Sequence, residues 1–285
     1  MAGALPDTFT AHDVAVDGID IHCVVAGAGP PLLMLHGYPQ THVMWHRVAP
    51  ALAVDHTVVL ADLRGYGDSG KPAPDPGNQT YAKRAMAHDQ LGLMARLGFD
   101  RFALVGHDRG ARVAHRLALD SPEAVARLAV LDIVPTRHVY GNVDRAMATA
   151  YFHWFFLPLG NGVPERLIGS DPEFWLRSAT NGLLKAGNEL HPAAFAEYLR
   201  CFVDPRAVAA TCADYRAAAT IDLVHDDASF QAGNRVQCPT LALWGGDGFV
   251  GRRYDVLDVW RRYATNVRGV AVPSGHFVAE EAPEE

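Results

Sequence analysis

Phe102-Ala103-Leu104-Val105-Gly106-His107-Asp108-Arg109-Gly110, running on through Ala111 to Leu119, decides the fold of this chain. The apolar run Phe102 to Val105 has strand character, and the stretch after Gly110 has helix character. Between them stands Gly-x-Asp-x-Gly. A Gly-x-nucleophile-x-Gly turn between strand and helix forms a nucleophile elbow, in which the glycines permit a tight turn that lifts the central side chain above the sheet. Here that side chain is a carboxylate. An aspartate is ionised near neutral pH and needs no base to become a nucleophile. It can displace a leaving group from an alkyl carbon and form an ester, which water must then hydrolyse. That chemistry points to alkyl halides or epoxides, not to ordinary esters or amides.

Outward from the elbow, β-rich apolar runs recur at Pro31-Leu35, Thr57-Ala61, Leu128-Ile133 and Thr240-Trp244, with a last strand expected at Gly269-Val272. Helix-like segments, notably Tyr81 to Leu97 and Gly110 to Leu119, separate the early ones. This alternation predicts an α/β fold: a mainly parallel sheet flanked by helices, with active-site groups on loops at the carboxyl ends of the strands. From about Thr136 to Ala232 the pattern changes to helix formers, aromatics and Pro-punctuated turns at Leu157-Pro158, Asp171-Pro172, His191-Pro192 and Asp204-Pro205. We read 136–232 as a helical cap inserted into a core made of 1–135 and 233–285. The chain ends at Glu285, soon after His276, where a terminal helix is usual in such a fold, so the expectation is either a shortened chain or a less covered edge of the sheet.

The 285 residues allow one domain with an insertion, and 49% hydrophobic with 20% charged residues is ordinary for a soluble enzyme. The net charge of -7 argues against a nucleic-acid partner, while a local basic site could still hold a small anion. Cys23, Cys201, Cys212 and Cys238 show no metal spacing and fit reduced residues of a cytoplasmic protein. Neither a signal peptide nor a membrane-spanning run stands out. No Walker A sequence, dinucleotide fingerprint or zinc-ligand set is present, so no cofactor and no metal are expected. Gly65-Tyr66-Gly67 reads as a loop below the site.

His36-Gly37-Tyr38-Pro39 follows an apolar strand, where an oxyanion-hole loop belongs. Backbone amides of Tyr38 and Arg109 are the expected donors to the ester oxygen, with His36 holding the loop. His276, in Pro273-Ser274-Gly275-His276-Phe277, is the expected base that removes a proton from the attacking water. His107 reads as a support for the turn.

Together the motifs resemble the fluoroacetate dehalogenases of the α/β-hydrolase superfamily. The resemblance spans nearly the whole chain. It is carried by His36-Gly37-Tyr38-Pro39-Gln40, Asp62-Leu63-Arg64-Gly65-Tyr66-Gly67-Asp68-Ser69, Gly106 to Arg112, Phe152-His153-Trp154-Phe155-Phe156, Asp214-Tyr215-Arg216 and Ser274-Gly275-His276. The Asp-Arg-x-x-Arg run with His-Trp in the cap is the most specific part. The resemblance implies a 2-haloacetate substrate, most specifically fluoroacetate hydrolysed to glycolate and fluoride. It places His153, Trp154 and Tyr215 around the halide, and it suggests a homodimer. Arg109 and Arg112, three apart at the start of a helix, can share a face and clamp the substrate carboxylate.

The acid that orients His276 has two candidates. Asp132 ends the strand at Leu128-Ile133. Asp247 lies in Trp244-Gly245-Gly246-Asp247-Gly248, one residue before the later acid position of many hydrolases of this fold. A one-residue displacement redirects a side chain, so Asp132 is favoured. The closest rival function is an epoxide hydrolase, with Tyr215 and either Tyr140 or Tyr151 on the epoxide oxygen. A haloalkane dehalogenase gains little from two arginines. A noncatalytic small-acid receptor leaves Asp108 and His276 unexplained.

Overall fold

A computed structural model describes residues 4–285. Among the described residues are eight strands: β1 (Thr10–Val16), β2 (Ile19–Ala26), β3 (Pro31–Leu35), β4 (Thr57–Ala61), β5 (Phe102–His107), β6 (Val125–Leu131), β7 (Thr240–Gly245) and β8 (Val267–Val272). They form one sheet in the order β1-β2-β4-β3-β5-β6-β7-β8. β1 and β2 form a hairpin, β2 pairs antiparallel with β4, and every later pairing is parallel.

The central strands are continuous apolar runs because both of their faces are covered. Leu33, Leu35, Val58, Val59 and Leu60 have no exposed surface. Each such side chain contributes roughly 1.5–3 kcal/mol of burial. Helices Lys83–Arg96 and Asp108–Asp120 pack against one another, and the second also packs on β5 and β6. The chain leaves β3 for β4 on one side, then crosses to β5 on the other. Winding reverses there, which opens a crevice beyond the carboxyl ends of β3 and β5.

Between β6 and β7 lie eight helices, from Thr136–Tyr140 to Ile221–Gln231. Both Asp-Pro pairs read as turns are helix starts. Asp171 and Asp204 accept N–H bonds from Phe174 and Arg206, with the following proline in the first turn. Proline suits that position because its missing N–H would have no helical partner.

Several boundaries differ from the sequence reading. The hairpin β1–β2 was not read, because β1 is almost wholly exposed and shows little apolar pattern. Pro31–Leu35 is therefore the third strand. β8 begins at Val267, and the elbow helix begins at Asp108 itself. A short helix, Val278–Glu281, follows His276, while Val270 on the edge strand β8 is exposed. No helix among the described residues is long and apolar enough to cross a membrane.

Candidate active site

Asp108 is the first residue of helix Asp108–Asp120 and has φ of 42°, a left-handed backbone rarely adopted by side-chain-bearing residues. Asp132, just past β6, has φ of 50°. Strain of this kind costs on the order of 1 kcal/mol or more and clusters at functional sites. Gly110 is needed for the same turn. A Cβ there would lie 2.4 Å from the carbonyl oxygens of both Leu35 and His36. The elbow helix can abut the end of β3 only without it.

Asp108 is buried, and its Oδ2 accepts the Tyr38 N–H at 3.2 Å. The Arg109 N–H stands in the helix's first turn, where backbone donors lack helical partners. His36 fixes the Tyr38 loop: its Nε2 accepts the Leu63 N–H at 3.0 Å, and its Nδ1 donates to the Gly37 carbonyl at 2.9 Å. Burial pushes the Asp108 pKa upward, but the charges of His276, Arg112 and Arg109 prevail and hold it below the ordinary carboxylate value.

His276 Nδ1 lies 2.6 Å from Asp132 Oδ2, and Asp132 Oδ1 accepts the Gly245 N–H at 3.0 Å. Burial lowers the His276 pKa, yet the bond and charge of Asp132 outweigh it and raise the net value. Asp247 does not join this group. Its half-exposed carboxylate pairs instead with Lys185 Nζ at 2.9 Å. His107 Nε2 donates to the His276 carbonyl at 2.8 Å, since a carbonyl only accepts. Burial drives the His107 pKa down to about 3, so it stays neutral and serves as a brace.

Arg109 has no exposed surface. Its Nε and Nη2 bond Asp214 Oδ2 and Oδ1 at 2.9 and 2.6 Å, and its guanidinium carbon lies 4.2 Å from the Tyr215 ring centre. Arg112 Nη1 donates to two neutral oxygens, the Val134 carbonyl at 3.1 Å and Thr136 Oγ1 at 3.0 Å. Its guanidinium carbon sits 4.6 Å from the Trp154 ring centre. Arg109 Nη1 and Arg112 Nε are buried without a partner. Buried donors left in this state are costly, so each marks a place where an acceptor is needed.

The helices between β6 and β7 bring an aromatic cluster against these groups. The His153 ring lies 6.3 Å from Tyr38 and 5.8 Å from Tyr215, and Trp154 lies 6.1 Å from Tyr215. Burial lowers the His153 pKa to about 4, leaving a neutral ring with one N–H to donate. The Tyr140 hydroxyl bonds the Trp154 carbonyl at 3.3 Å, and Tyr151 stacks beside Trp154. A cavity of about 100 Å³ borders His153, lined by Phe152, Trp175, Ala179 and Leu183.

The family model for the alpha/beta hydrolase fold matches residues 30–283. The chain belongs to the alpha/beta-hydrolase family. It is similar to a fluoroacetate dehalogenase from a Burkholderia species, 46% identical over 97% of this chain and 91% of that protein. It is also similar to a soluble epoxide hydrolase from Corynebacterium sp. (strain C12), 35% identical over 96% of this chain and 93% of that one. Among solved structures, an alpha/beta-hydrolase-fold protein from Nostoc sp PCC 7120 superposes with a TM-score of 0.95, at 54% identity and with coverage of 97% and 94%.

In this alpha/beta hydrolase, sequence reasoning gave no role to Asp214, although the Asp-Tyr-Arg run was noticed. Asp214 is fully buried and holds Arg109, Lys83 Nζ and, at 2.7 Å, the Tyr66 hydroxyl. Tyr66 thus ties the Gly65-Tyr66-Gly67 loop to the helix Pro205–Ala219. The one available signal was chemical: a buried arginine requires a carboxylate. Nothing in the sequence says which of the chain's acids supplies it. Trp175 was missed as well, and its indole donates to the Tyr38 hydroxyl at 2.5 Å.

Proposed function

We propose that the protein hydrolyses 2-haloacetates, fluoroacetate foremost, to glycolate and halide through an ester on Asp108. The observation that carries this reading is the pair of buried, unpartnered guanidinium donors, Arg109 Nη1 and Arg112 Nε, beside a carboxylate nucleophile. A substrate carboxylate supplies the acceptors they lack, through charge-assisted bonds. Held there, C2 of the haloacetate faces Asp108. The carboxylate attacks C2, the carbon–halogen bond breaks, and the halide leaves with the bonding pair.

Departing fluoride is a strong acceptor. His153, the Trp154 indole and the Tyr215 hydroxyl are the donors on the cap side. Water then adds to the ester carbonyl as His276 Nε2 takes one of its protons. Asp132 holds the ring, and the Tyr38 and Arg109 amides carry the charge on oxygen. The adduct collapses and glycolate regains a proton from His276. The water's second proton passes to solvent as Asp108 ionises again.

Epoxide hydrolysis, the activity named for the Corynebacterium relative, would use the same Asp108 and His276. A neutral epoxide leaves both arginine donors unpaired, and the Tyr140 hydroxyl is already spent on the Trp154 carbonyl. Fluoride release from fluoroacetate, measured beside diol formation from styrene oxide, tests the reading. Diol formation without fluoride release would replace it with the epoxide reaction.

A further inference from the structure

The turn that carries His276 is held by one carboxylate outside the Asp108–His276–Asp132 group. Glu281, in the short helix Val278–Glu281, accepts four N–H groups. Its Oε1 accepts the Phe277 N–H at 3.0 Å, and its Oε2 accepts the Gly275 N–H at 3.1 Å. Those are the residues on either side of His276. Oε2 also accepts the Lys185 N–H at 2.8 Å and the Asn188 side-chain amide at 2.9 Å. Those two belong to the cap segment 183–188.

Other contacts fasten the same two pieces of chain. The His276 N–H donates to the Leu183 carbonyl at 2.9 Å. A Cβ at Gly275 would stand 2.4 Å from the Lys185 nitrogen and 2.7 Å from the Leu183 oxygen, so the two backbones touch. Only an ionised carboxylate offers sites for four donors while presenting no hydrogen of its own. A glutamine of the same shape would turn an NH2 towards backbone N–H groups.

We propose that Glu281 is a positioning residue for His276, joining the histidine turn and cap segment 183–188 into one body that aims the imidazole at the ester-hydrolysing water. This rests on the Asp108-ester reading above. It has a consequence that a merely structural staple lacks. Asp108 attacks the haloacetate without help from His276, whereas hydrolysis of the ester depends on it. Loosening Glu281 therefore slows the second half-reaction and spares the first.

The test is rapid-quench single turnover with fluoroacetate, reading halide release and, by intact-protein mass, the ester on Asp108. Variants are Glu281→Gln, Asn188→Ala and His276→Asn, each checked by thermal unfolding. In Glu281→Gln the first halide should appear within about threefold of the wild-type rate, while ester decay slows on the order of ten- to a hundredfold and ester accumulates. Equal slowing of both steps, or unchanged ester decay, overturns the assignment. Should Glu281→Gln fail to fold, Asn188→Ala decides, because it removes one cap-side donor only. It should slow ester decay by a few fold and leave the first step unchanged, and any other pattern counts against the proposal. His276→Asn is the control for the chemistry beneath it. If that variant turns over normally without ester, the Asp108-ester reading itself falls, which is distinguishable from a Glu281 variant that alone behaves like wild type.

Discussion

His276 Nδ1 and Asp132 Oδ2 meet at 2.6 Å, although 144 residues separate them in the chain. One comes from the turn after β8 and the other from the end of β6. The bond commits one ring nitrogen to the carboxylate and leaves the other for water. It also raises the pKa of His276, an effect to which the Asp108 charge adds. In the proposed mechanism, ester formation removes the Asp108 charge, the His276 pKa falls, and the neutral base becomes available at the step that needs it.

A pH dependence follows. Ester decay requires neutral His276, so its rate should rise with pH through one ionisation. Asp132→Asn should shift that ionisation to lower pH and reduce the plateau on the order of a hundredfold or more, as the ring loses its anchor. The raised pKa also enters stability. Protonated His276 stabilises the fold fully below its unfolded value, about 6.5, and the contribution is lost as pH rises through the folded value. The wild type should therefore exceed Asp132→Asn in stability by more at pH 6 than at pH 9, measured by urea unfolding. Asp247→Asn, which breaks only a half-exposed pair, should change ester decay by less than about twofold.

Asp214 is the anchor of Arg109, and Lys83 also relies on it, with Asp222 3.5 Å away as Lys83's second acid. Removing one member of a buried ion cluster leaves an uncompensated charge. Asp214→Asn should cost about 3–5 kcal/mol in urea unfolding and raise KM for haloacetates as Arg109 loses its fixed orientation. A stable variant with unchanged KM would remove Asp214 from the account.

Selectivity between halides separates the proposed carboxylate clamp from the proposed halide donors. Removing Arg112 should impair fluoroacetate and chloroacetate alike, because both carry the same carboxylate. Trp154→Phe should hurt fluoroacetate more, since one lost transition-state donor to fluoride costs on the order of a few kcal/mol. Comparing kcat/KM for both acids reads the difference. Equal losses for the two halides would deny the indole a place at the leaving group.

The parallel half of the fold was legible because its strands are continuous apolar runs and its elbow has a fixed chemical grammar. β1 was not, since an edge strand with mostly exposed residues carries no apolar pattern. The site divides in the same way. Asp108, His276 and the arginine pair sit in local motifs that sequence can display. Asp214 and Trp175 bond partners 105 and 137 residues away, and Glu281 adds to its near neighbours Gly275 and Phe277 a partner 96 residues away; no local pattern encodes such distant pairings. The choice between Asp132 and Asp247 turned on one residue of register, which the β6 and β7 pairing fixes in space. Of the two, it is Asp132 that lies within hydrogen-bond reach of the His276 ring.

The central claim is that Asp108 becomes esterified. A single turnover of excess enzyme with fluoroacetate in heavy-oxygen water tests it most directly, with both the glycolate and the Asp108 peptide analysed by mass. The account predicts unlabelled glycolate in that first turnover and heavy oxygen in the Asp108 carboxylate, because water attacks the ester carbonyl and glycolate leaves with an aspartate oxygen. Labelled glycolate with an unlabelled Asp108 would mean that water attacks the substrate carbon itself, and would contradict the account.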